Sequence, residues 1–258
     1  MLSKEEKQNI QLVWDGMGAI LETKDKAVVD ASFAKDFIQH NPWAKDGIEH
    51  IHEMLQFNFG YKPIRWVADA DIMAYHGYYT APNPLGEYPL LCVDAWRIED
   101  GKIQEHWDAL APMPEELLQQ AIAGNGNGEK ETSLEKRVRN KATVRRFLDR
   151  VCNRGQLEEI DRLLAEDYVY HHPSKGTLSG KASLQQLLEQ EGGRMPHDNK
   201  LLLASGDLVM AHSHFFGSNE RVVFDWFRLD ESGQVAEHWS VEQAMTPWEE
   251  VANDHPHF

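Results

Sequence analysis

Residues 93–108, VDAWRIEDGKIQEHWD, decide the fold, because the chain repeats them as FDWFRLDESGQVAEHWS at residues 224–240. Upstream, residues 9–42 align without a gap to residues 140–173. A repeat this long is a whole domain, since solenoid units span only roughly 20–50 residues. The sequence therefore predicts two copies of one domain in a single chain.

The order of sequence patterns within each copy indicates the fold class. In the first copy, helical periodicity covers residues 3–22, 27–34 and 47–59, and Ser3 with Glu6 resembles a capping box. Runs rich in β-branched and aromatic residues follow at 64–68, 72–79, 88–98 and 102–110, and the second copy repeats this order. Helices followed by antiparallel strands predict an α+β domain.

Chain length and a glycine-rich segment give the expected domain boundaries. The 258 residues, 41% of them hydrophobic, are enough for two small cores. The stretch GNGNGEKE at 124–131 has the composition of a linker. We expect a first domain at 1–122, a linker at 123–131 and a second domain at 132–258.

Charge and cysteine content exclude several classes of function. The formal net charge of −16 argues against nucleic acid and against an anionic membrane surface as partners. The 2 cysteines, Cys92 and Cys152, occupy different positions in the two copies, so no disulfide framework or zinc motif is predicted. No secretory h-region and no apolar run of membrane-spanning length is present, which predicts a cytoplasmic protein.

Asp100-Gly101 is a strong signal for a two-residue hairpin turn, and it sorts the surrounding residues onto two sheet faces. Without a bulge, Asp94 pairs with Trp107 and Trp96 pairs with Glu105. The first face then carries Asp94, Trp96, Ile98, Ile103, Glu105 and Trp107, and the other face carries Val93, Ala95, Arg97, Gln104, His106 and Asp108. A β-bulge would reverse the assignment.

The second hairpin repeats this arrangement with a turn one residue longer, which places Asp225, Phe227, Leu229, Val235, Glu237 and Trp239 on one face. Carboxylates on an otherwise apolar face are costly to bury without partners and indicate a lined cavity. The alternative is structural: Asp94 could cap or bridge a backbone group, and Glu105 could pair with an arginine.

Three of the 13 histidines recur at equivalent positions: His40, His76 and His106 return as His171, His212 and His238. We expect His40 and His171 to follow a helix and to rim a pocket. His212 and His214 share a strand face, but no third ligand is placed by spacing, so no metal site is predicted. The chain contains no glycine-rich phosphate loop, nucleophile elbow or HExxH motif, and no cofactor is implied.

The segments FIQHNP at 37–42 and D-x-W-R…D-G-x-I-x-E-x-W at 94–107 resemble the SnoaL-like polyketide cyclases of the nuclear transport factor 2-like superfamily. The closest resemblance is to the branch of SnoaL-like aldol-condensation enzymes, and it covers nearly all of both halves. It implies that each half is a cone, in which a curved, mostly antiparallel sheet wraps around N-terminal helices and an internal pocket opens at one end.

The resemblance also implies an activity. Family cyclases use a pocket aspartate as general acid and base on a carbon acid, and Asp94 and Asp225 match that position. We expect proton transfer next to a carbonyl, as in aldol cyclisation, isomerisation or dehydration, with His76 and His212 near the enolate oxygen. The alternative is a non-catalytic ligand-binding or assembly module of the same fold.

The expected ligand is a small apolar molecule that contains a carbonyl group. The residues expected to contact it are His40, Trp96, Glu105, Trp107, His171, Phe227, Glu237 and Trp239. We also expect the two halves to pair within the chain through their outer sheet faces, near Val93, Arg97 and His106, with further self-association left open. The first pocket is expected to be the primary site, more enclosed and more aromatic than the second.

Overall fold

The computed structural model describes residues 2–124, 133–217, 219–255 and 257–258. Residues 125–131, most of the linker predicted at 123–131, lie outside the described residues. Among the described residues, no helix is both long enough and apolar enough to cross a membrane.

The first half begins with helices, and a capping box starts the first of them. The Glu6 backbone N–H donates to the Ser3 hydroxyl over 3.0 Å, and the Ser3 backbone N–H donates to the Glu6 carboxylate over 2.6 Å. This helix continues as a π-helical turn at Ala19–Thr23. The elements in chain order are α1 (Lys4–Gly18), α2 (Lys26–Ser32), β1 (Phe33–Gln39), α3 (Ile48–Met54), β2 (Tyr61–Asp69), β3 (Ile72–Tyr79), β4 (Leu90–Glu99), β5 (Lys102–Pro112) and α4 (Glu115–Ala121).

The second half repeats this order with one additional short strand. Its first helix also continues as a π-helical segment, Phe147–Asn153. The elements are α5 (Leu134–Arg146), α6 (Ile160–Leu163), β6 (Leu164–His172), β7 (Gly176–Ser179), α7 (Lys181–Gln190), β8 (His197–Ser205), β9 (Leu208–Phe215), β10 (Arg221–Leu229) and β11 (Val235–Ala244).

Each half contains one mixed sheet with helices packed on one face. The strand order is β1-β5-β4-β3-β2 in the first half and β7-β6-β11-β10-β9-β8 in the second. Only β1–β5 and β11–β6 pair in parallel among the described strands. The first core joins Val13 and Met17 of α1 to Met73, Tyr75 and Trp96 of the sheet. The predicted α+β fold is confirmed in both copies.

The strands β1 and β6 are absent from the sequence prediction, which extended a helix through Ala34. Phe33 and Phe37 are both buried and lie four residues apart, a spacing that imitates a helical face. The register of β1 on β5 shifts between Phe33 and Ile38, and this irregularity removes the simple alternation of a strand. His40 therefore directly follows strand β1, and His171 lies near the end of strand β6. Neither histidine follows a helix, contrary to the prediction.

The chain forms two compact units whose boundaries differ from the predicted ones. One unit contains residues 2–114 together with 245–258, and the other contains residues 115–244. The segments that follow the last strand of each sheet are thus exchanged. We refer to residues 115–124 and 245–258 as the exchanged segments.

Specific hydrogen bonds hold the exchanged segments in their units. In the first unit, the Asn253 side-chain amide donates to the carbonyls of Asn41 and Ala44 over 2.6 and 2.8 Å. In the second unit, the Trp239 indole N–H donates to the Ala123 carbonyl over 2.7 Å. Gly124 has a φ of +91°, and a side chain there would collide with Glu237, so the close approach requires glycine.

Candidate functional site

The β4–β5 hairpin contains a bulge that reverses the predicted assignment of faces. Asp100 and Gly101 have positive φ angles, and Ile98 pairs with Ile103 as predicted. Beyond that pair the register shifts, so that Arg97 pairs with Glu105. From there, Trp96 pairs with His106 and Asp94 with Asp108. The prediction that Trp107 and Glu105 share a face with Asp94 is therefore wrong, as is the outward placement of His106.

The second hairpin has the same bulge at the same place. Leu229 pairs with Val235, after which Arg228 pairs with Glu237. Phe227 then pairs with His238, and Asp225 pairs with Ser240. A register change that occurs in both copies belongs to the architecture of the domain and not to one hairpin.

A cavity of about 320 Å³ lies between the helices and the sheet of the first half. Asp94 and His106 lie in its polar part, together with Gln39, Asn41 and Tyr79. His50 also lines it, and the rest of the wall is apolar and rich in aromatic rings: Met17, Ile20, Leu21, Phe33, Phe37, Trp43, Ala44, Ile51, Met54, Phe57, Phe59, Pro84, Leu85, Leu90, Trp96 and Leu110. An apolar cavity with a few convergent polar groups is the usual form of a small-molecule site.

Asp94 is buried, and its two carboxylate oxygens have different environments. Oδ1 accepts a hydrogen bond from the Tyr79 hydroxyl over 3.0 Å and lies 3.1 Å from Nε2 of His106. Oδ2 is buried and has no hydrogen-bond partner among the described residues. One oxygen thus fixes the orientation of the carboxylate, and the other is available to a ligand.

The protonation of His106 follows from its neighbours. Oε1 of Gln39 accepts the Asn41 backbone N–H over 2.9 Å, so the nearby Nδ1 of His106, also at 2.9 Å, must carry a proton. Burial opposes a charge on His106, but the hydrogen bond to Asp94 and the Asp108 charge outweigh it and raise the histidine pKa above its usual value. A protonated His106 then donates from Nε2 to Asp94.

Asp108 lies behind this pair as a second buried carboxyl group. The Asn41 side-chain amide donates to its Oδ2 over 2.7 Å, while Oδ1 has no hydrogen-bond partner among the described residues. The pKa of Asp108 is raised to about 6, chiefly by burial; the Asp94 charge acts in the same direction, and the His106 charge and the Asn41 hydrogen bond oppose the shift. Asp108 therefore changes charge close to neutral pH, next to the imidazole.

Asp94, His106 and Asp108 also form a group whose geometry could hold a metal ion, because their ligand atoms lie within 4.8 Å of one another. Hydrogen bonds already engage both nitrogens of His106 and Oδ1 of Asp94. Protons and hydrogen bonds can therefore compensate the charges of these three side chains without a metal ion.

The second half retains the central pair with different neighbours. Nε2 of His238 lies 2.9 Å from Oδ1 of Asp225, and the Tyr168 hydroxyl is 3.0 Å from Nδ1 of His238. Ser240 replaces Asp108 and donates from its hydroxyl to Oδ1 of Asp225. Tyr170, at the position of Gln39, is 2.8 Å from the Ser240 hydroxyl.

The second half has its own cavity of about 220 Å³, with Asp225 and His238 in its wall. Fewer aromatic rings line it than line the first cavity, as predicted, but the first cavity is the more open of the two, contrary to expectation. Phe227 does not line it; this ring is fully buried and stacks on His238 with centroids 4.4 Å apart.

Three residues expected to contact the ligand in the first half lie on the sheet face away from the cavity. Glu105 accepts a hydrogen bond from Nε of Arg97 over 2.7 Å and lies 2.8 Å from Nε2 of His40. His40 also stacks on Trp107, with centroids 4.9 Å apart. The structural alternative for Glu105, a pairing with arginine, is the one observed, and of the four residues expected here only Trp96 lines the cavity.

The equivalent residues of the second half form the same cluster. Glu237 accepts a hydrogen bond from Arg228 over 2.5 Å and lies 3.6 Å from His171. His171 stacks on Trp239, with centroids 5.4 Å apart, and its Nδ1 donates to the Gln120 carbonyl over 3.2 Å. These residues hold an exchanged segment and do not line the cavity.

His76 and His212 also lie away from the cavities. His76 pairs with Val93 across the strands, one residue out of phase with Asp94, and its ring contacts the Arg65 guanidinium. His212 is fully buried and stacks on Phe224, with centroids 4.1 Å apart. Neither histidine lines a cavity, so the structure does not bring either one together with the aspartates as expected.

Sequence reasoning missed three residues that surround the central pairs: Gln39, Tyr168 and Tyr170. The signal that could have found them was present, because FIQHN directly precedes Pro42 and YVYHH directly precedes Pro173. Treating 33–39 as a strand would have put Phe37 and Gln39 on the same face. The pairing of the two halves across their outer faces stays a prediction.

Comparison with known proteins agrees with this architecture. The family model of the SnoaL-like domain matches residues 16–106 and again residues 144–238. No curated protein matches the chain.

Solved structures resemble one half at a time. A protein from Kribbella flavida named as a ketosteroid isomerase is 23% identical, with 43% of this chain and 84% of that one covered and a TM-score of 0.39. A protein from Jannaschia named as a SnoaL-like polyketide cyclase is 16% identical, with coverage of 44% and 91% and a TM-score of 0.39. An epoxide hydrolase from Mycobacterium tuberculosis is 18% identical, with coverage of 42% and 85% and a TM-score of 0.36.

Proposed function

The chain belongs to the SnoaL-like domain family, with one copy of the domain in each half, and we propose that its first half is an enzyme that transfers a proton at a carbon next to a carbonyl group. The observation that carries the proposal is Oδ2 of Asp94: a buried carboxylate oxygen, without a partner among the described residues, on the wall of an apolar cavity. A carboxylate held in place through its other oxygen is arranged to act as a base.

The substrate is a small, largely apolar carbonyl compound, because most of the cavity wall is aliphatic or aromatic. Trp96 and Phe37 supply flat aromatic surfaces beside the polar groups, since both rings stack on His106, with centroids 5.2 and 6.5 Å away. The apolar wall also excludes water, which strengthens the interaction of the substrate with the few polar groups present.

The reaction begins with removal of the α-proton by Oδ2 of Asp94. The C–H electron pair becomes the double bond of an enolate, and negative charge develops on the former carbonyl oxygen. Tyr79 and His106 are the donors closest to Asp94, at 3.0 and 3.1 Å from Oδ1. Burial, followed by the Asp94 charge, raises the pKa of Tyr79, so its hydroxyl stays protonated. Once Oδ2 has taken the α-proton, Oδ1 of Asp94 is a weaker acceptor, and the single Tyr79 proton turns from Oδ1 to the enolate oxygen.

The second step determines the reaction type. The enolate carbon can attack a second carbonyl, as in aldol cyclisation. Alternatively, protonated Asp94 returns its proton to another carbon, as in isomerisation, or to a departing hydroxyl, as in dehydration. All three use the same residues, and the cavity accommodates a substrate for any of them.

Hydrogen–deuterium exchange tests the shared first step without knowledge of the substrate. The wild-type chain is incubated in heavy water with a panel of cyclic ketones, including 2-tetralone and 2-decalone, and loss of α-proton NMR signal is followed. Asp94→Asn should slow the exchange by about 100-fold or more, because the amide cannot accept the proton. Tyr79→Phe should slow it by about tenfold, because one donor to the enolate is lost.

Asp36→Asn is the matched control, since Asp36 is exposed on β1 and does not line the cavity. It should leave the exchange rate unchanged. Full exchange in Asp94→Asn would contradict the proposal. Ketones that bind the first cavity but show no accelerated exchange would favour the alternative function, a non-catalytic ligand-binding module.

A further inference from the structure

The cavity of the second half is lined by two contrasting sets of residues. The apolar set, which we call the helical wall, includes Phe147, Leu184 and Leu187. Besides Asp225, four charged residues line the cavity, and we call them the charged wall: Lys175, Glu191, Arg221 and Glu242. The first cavity has no such charged wall among its lining residues.

The fold does not require charge at these positions. Arg221 precedes Asp225 by four residues, as Leu90 precedes Asp94, and Glu242 follows Ser240 by two residues, as Leu110 follows Asp108. The same architecture therefore accepts leucine at both places. Arg221 and Glu242 are mostly buried, at 19% and 26% side-chain exposure. Since partly buried ion pairs recover their desolvation cost poorly, this pair is better explained by a ligand than by stability.

The two ion pairs in the wall are loosely formed. Nε of Arg221 lies 3.2 Å from Oε2 of Glu242, and Nζ of Lys175 lies 3.7 Å from Oε1 of Glu191. Charge-assisted hydrogen bonds normally measure about 2.7–2.9 Å. Both pairs can therefore exchange partners with a ligand that supplies a charge of each sign.

The electrostatic balance of the wall selects against a ligand with a single charge. Burial raises the pKa of Glu242; the charges of Asp225 and Glu191 raise it further, while Arg221 and Lys175 lower it. A ligand carboxylate alone would be repelled by these three acidic groups, and an amine alone by the two cations. A molecule with both groups meets a partner for each.

His172 adds a neutral donor to this wall. Burial, followed by the Lys175 charge, lowers the pKa of His172 to about 4, so the ring is neutral at neutral pH. Its Nδ1 accepts the Ser174 backbone N–H over 3.2 Å, which leaves the proton on Nε2.

We infer that the second cavity binds a small zwitterion of the amino-acid type. Its carboxylate is received by Arg221 and Lys175, its ammonium group by Glu242 and Glu191, and its apolar side chain packs on the helical wall. This inference does not depend on the enzymatic function proposed for the first half, because it uses a different cavity and different residues.

Isothermal titration calorimetry on the full chain tests the inference with L-leucine as the probe. Three analogues of similar shape separate the contributions: isocaproate lacks the ammonium group, isoamylamine lacks the carboxylate, and isohexanol lacks both. L-Leucine should bind saturably, and each single-charge analogue should bind about tenfold more weakly or worse. Isocaproate or isoamylamine binding as tightly as L-leucine would overturn the inference, as would the absence of L-leucine binding.

Variants locate the binding. Arg221→Leu combined with Glu242→Leu installs the residues of the first half and should abolish L-leucine binding. If that variant does not fold by circular dichroism, Arg221→Gln and Glu242→Gln separately should each weaken binding about tenfold. Arg194→Gln, which neutralises an exposed cation outside the cavity wall, should leave it unchanged. Loss of binding in Asp94→Asn would place leucine in the first cavity and overturn the inference.

Discussion

The two halves share one backbone and one aspartate–histidine pair, yet the surroundings of that pair differ in kind. Around Asp94 the cavity is apolar, and the pair is backed by a second carboxyl group, Asp108. Around Asp225, hydroxyl groups replace that carboxyl and charged residues line the wall. The comparison teaches that the sheet fixes where the pair lies, while a few positions around it set the chemistry of each cavity.

The largest expected difference between the halves is catalytic. Asp94→Asn should lower turnover by about 100-fold or more, whereas Asp225→Asn should change it less than about twofold. The reason is that charged residues line the cavity beside Asp225 and suit a charged ligand, whereas the mainly apolar wall beside Asp94 suits a ketone. Both variants are compared in the ketone exchange assay. If only Asp225→Asn abolishes exchange, the division between the halves is the reverse of the one proposed.

A smaller difference is expected in how pH affects the stability of each half. The folded-state pKa of Asp108 is raised from 3.8 to about 6, so the first half loses stability as pH rises through that interval. The folded-state pKa of His172 is lowered from 6.5 to about 4, so the second half gains stability as pH rises from 4 to 6.5. Each contribution is on the order of 2–3 kcal/mol.

The variants Asp108→Asn and His172→Asn separate these two contributions to stability. Asparagine is a suitable replacement for His172 because the first half has asparagine, Asn41, at the equivalent position. Asp108→Asn should be more stable relative to the wild type at pH ~7 than at pH ~4.5, because the amide avoids the buried charge. His172→Asn should show the opposite trend, because the wild type loses stability in acid. Denaturant unfolding at both pH values measures this, and parallel trends in the two variants would contradict the assignment.

The smallest expected effects come from the exchanged segments. Asn253→Ala removes two buried hydrogen bonds to Asn41 and Ala44 and should destabilise the unit containing the first sheet by about 1–3 kcal/mol. Trp239→Phe removes one hydrogen bond to Ala123 and should destabilise the other unit by about 1 kcal/mol. Hydrogen exchange resolved by peptide shows which unit responds. Equal loosening of both units in either variant would argue against two separately held segments.

The sequence predicted the fold well where patterns are local. The duplication, the strands from 72 to 79 and 102 to 110, and the turn at Asp100-Gly101 all follow from periodicity and turn chemistry. The parallel strands β1 and β6 could not be recognised in this way, since their pairing with a distant strand is non-local and an irregular register hides the alternation.

The site was predicted only in part, for one physical reason. Asp94, Asp225 and Trp96 were expected at a cavity, and all three line one. Gln104 is an extra residue in β5, and it moves every later residue of the strand to the opposite face from the one predicted. His106 and Asp108 therefore lie on the face of Asp94, where Glu105 and Trp107 were expected. Nothing in the hairpin sequence itself marks that residue; the identical shift in the second copy is visible only in the structure.

Because of the exchanged segments, the order in which the chain is synthesised determines when each unit can complete its folding. The unit built on the first sheet includes residues 245–258, which follow the last strand of the second sheet, so this unit cannot be completed until the second sheet has been synthesised. A gene split between residues 124 and 133 would give each fragment the end segment that the other one needs. The fusion has therefore become difficult to reverse by simple division of the gene, even though each half carries a complete sheet of its own.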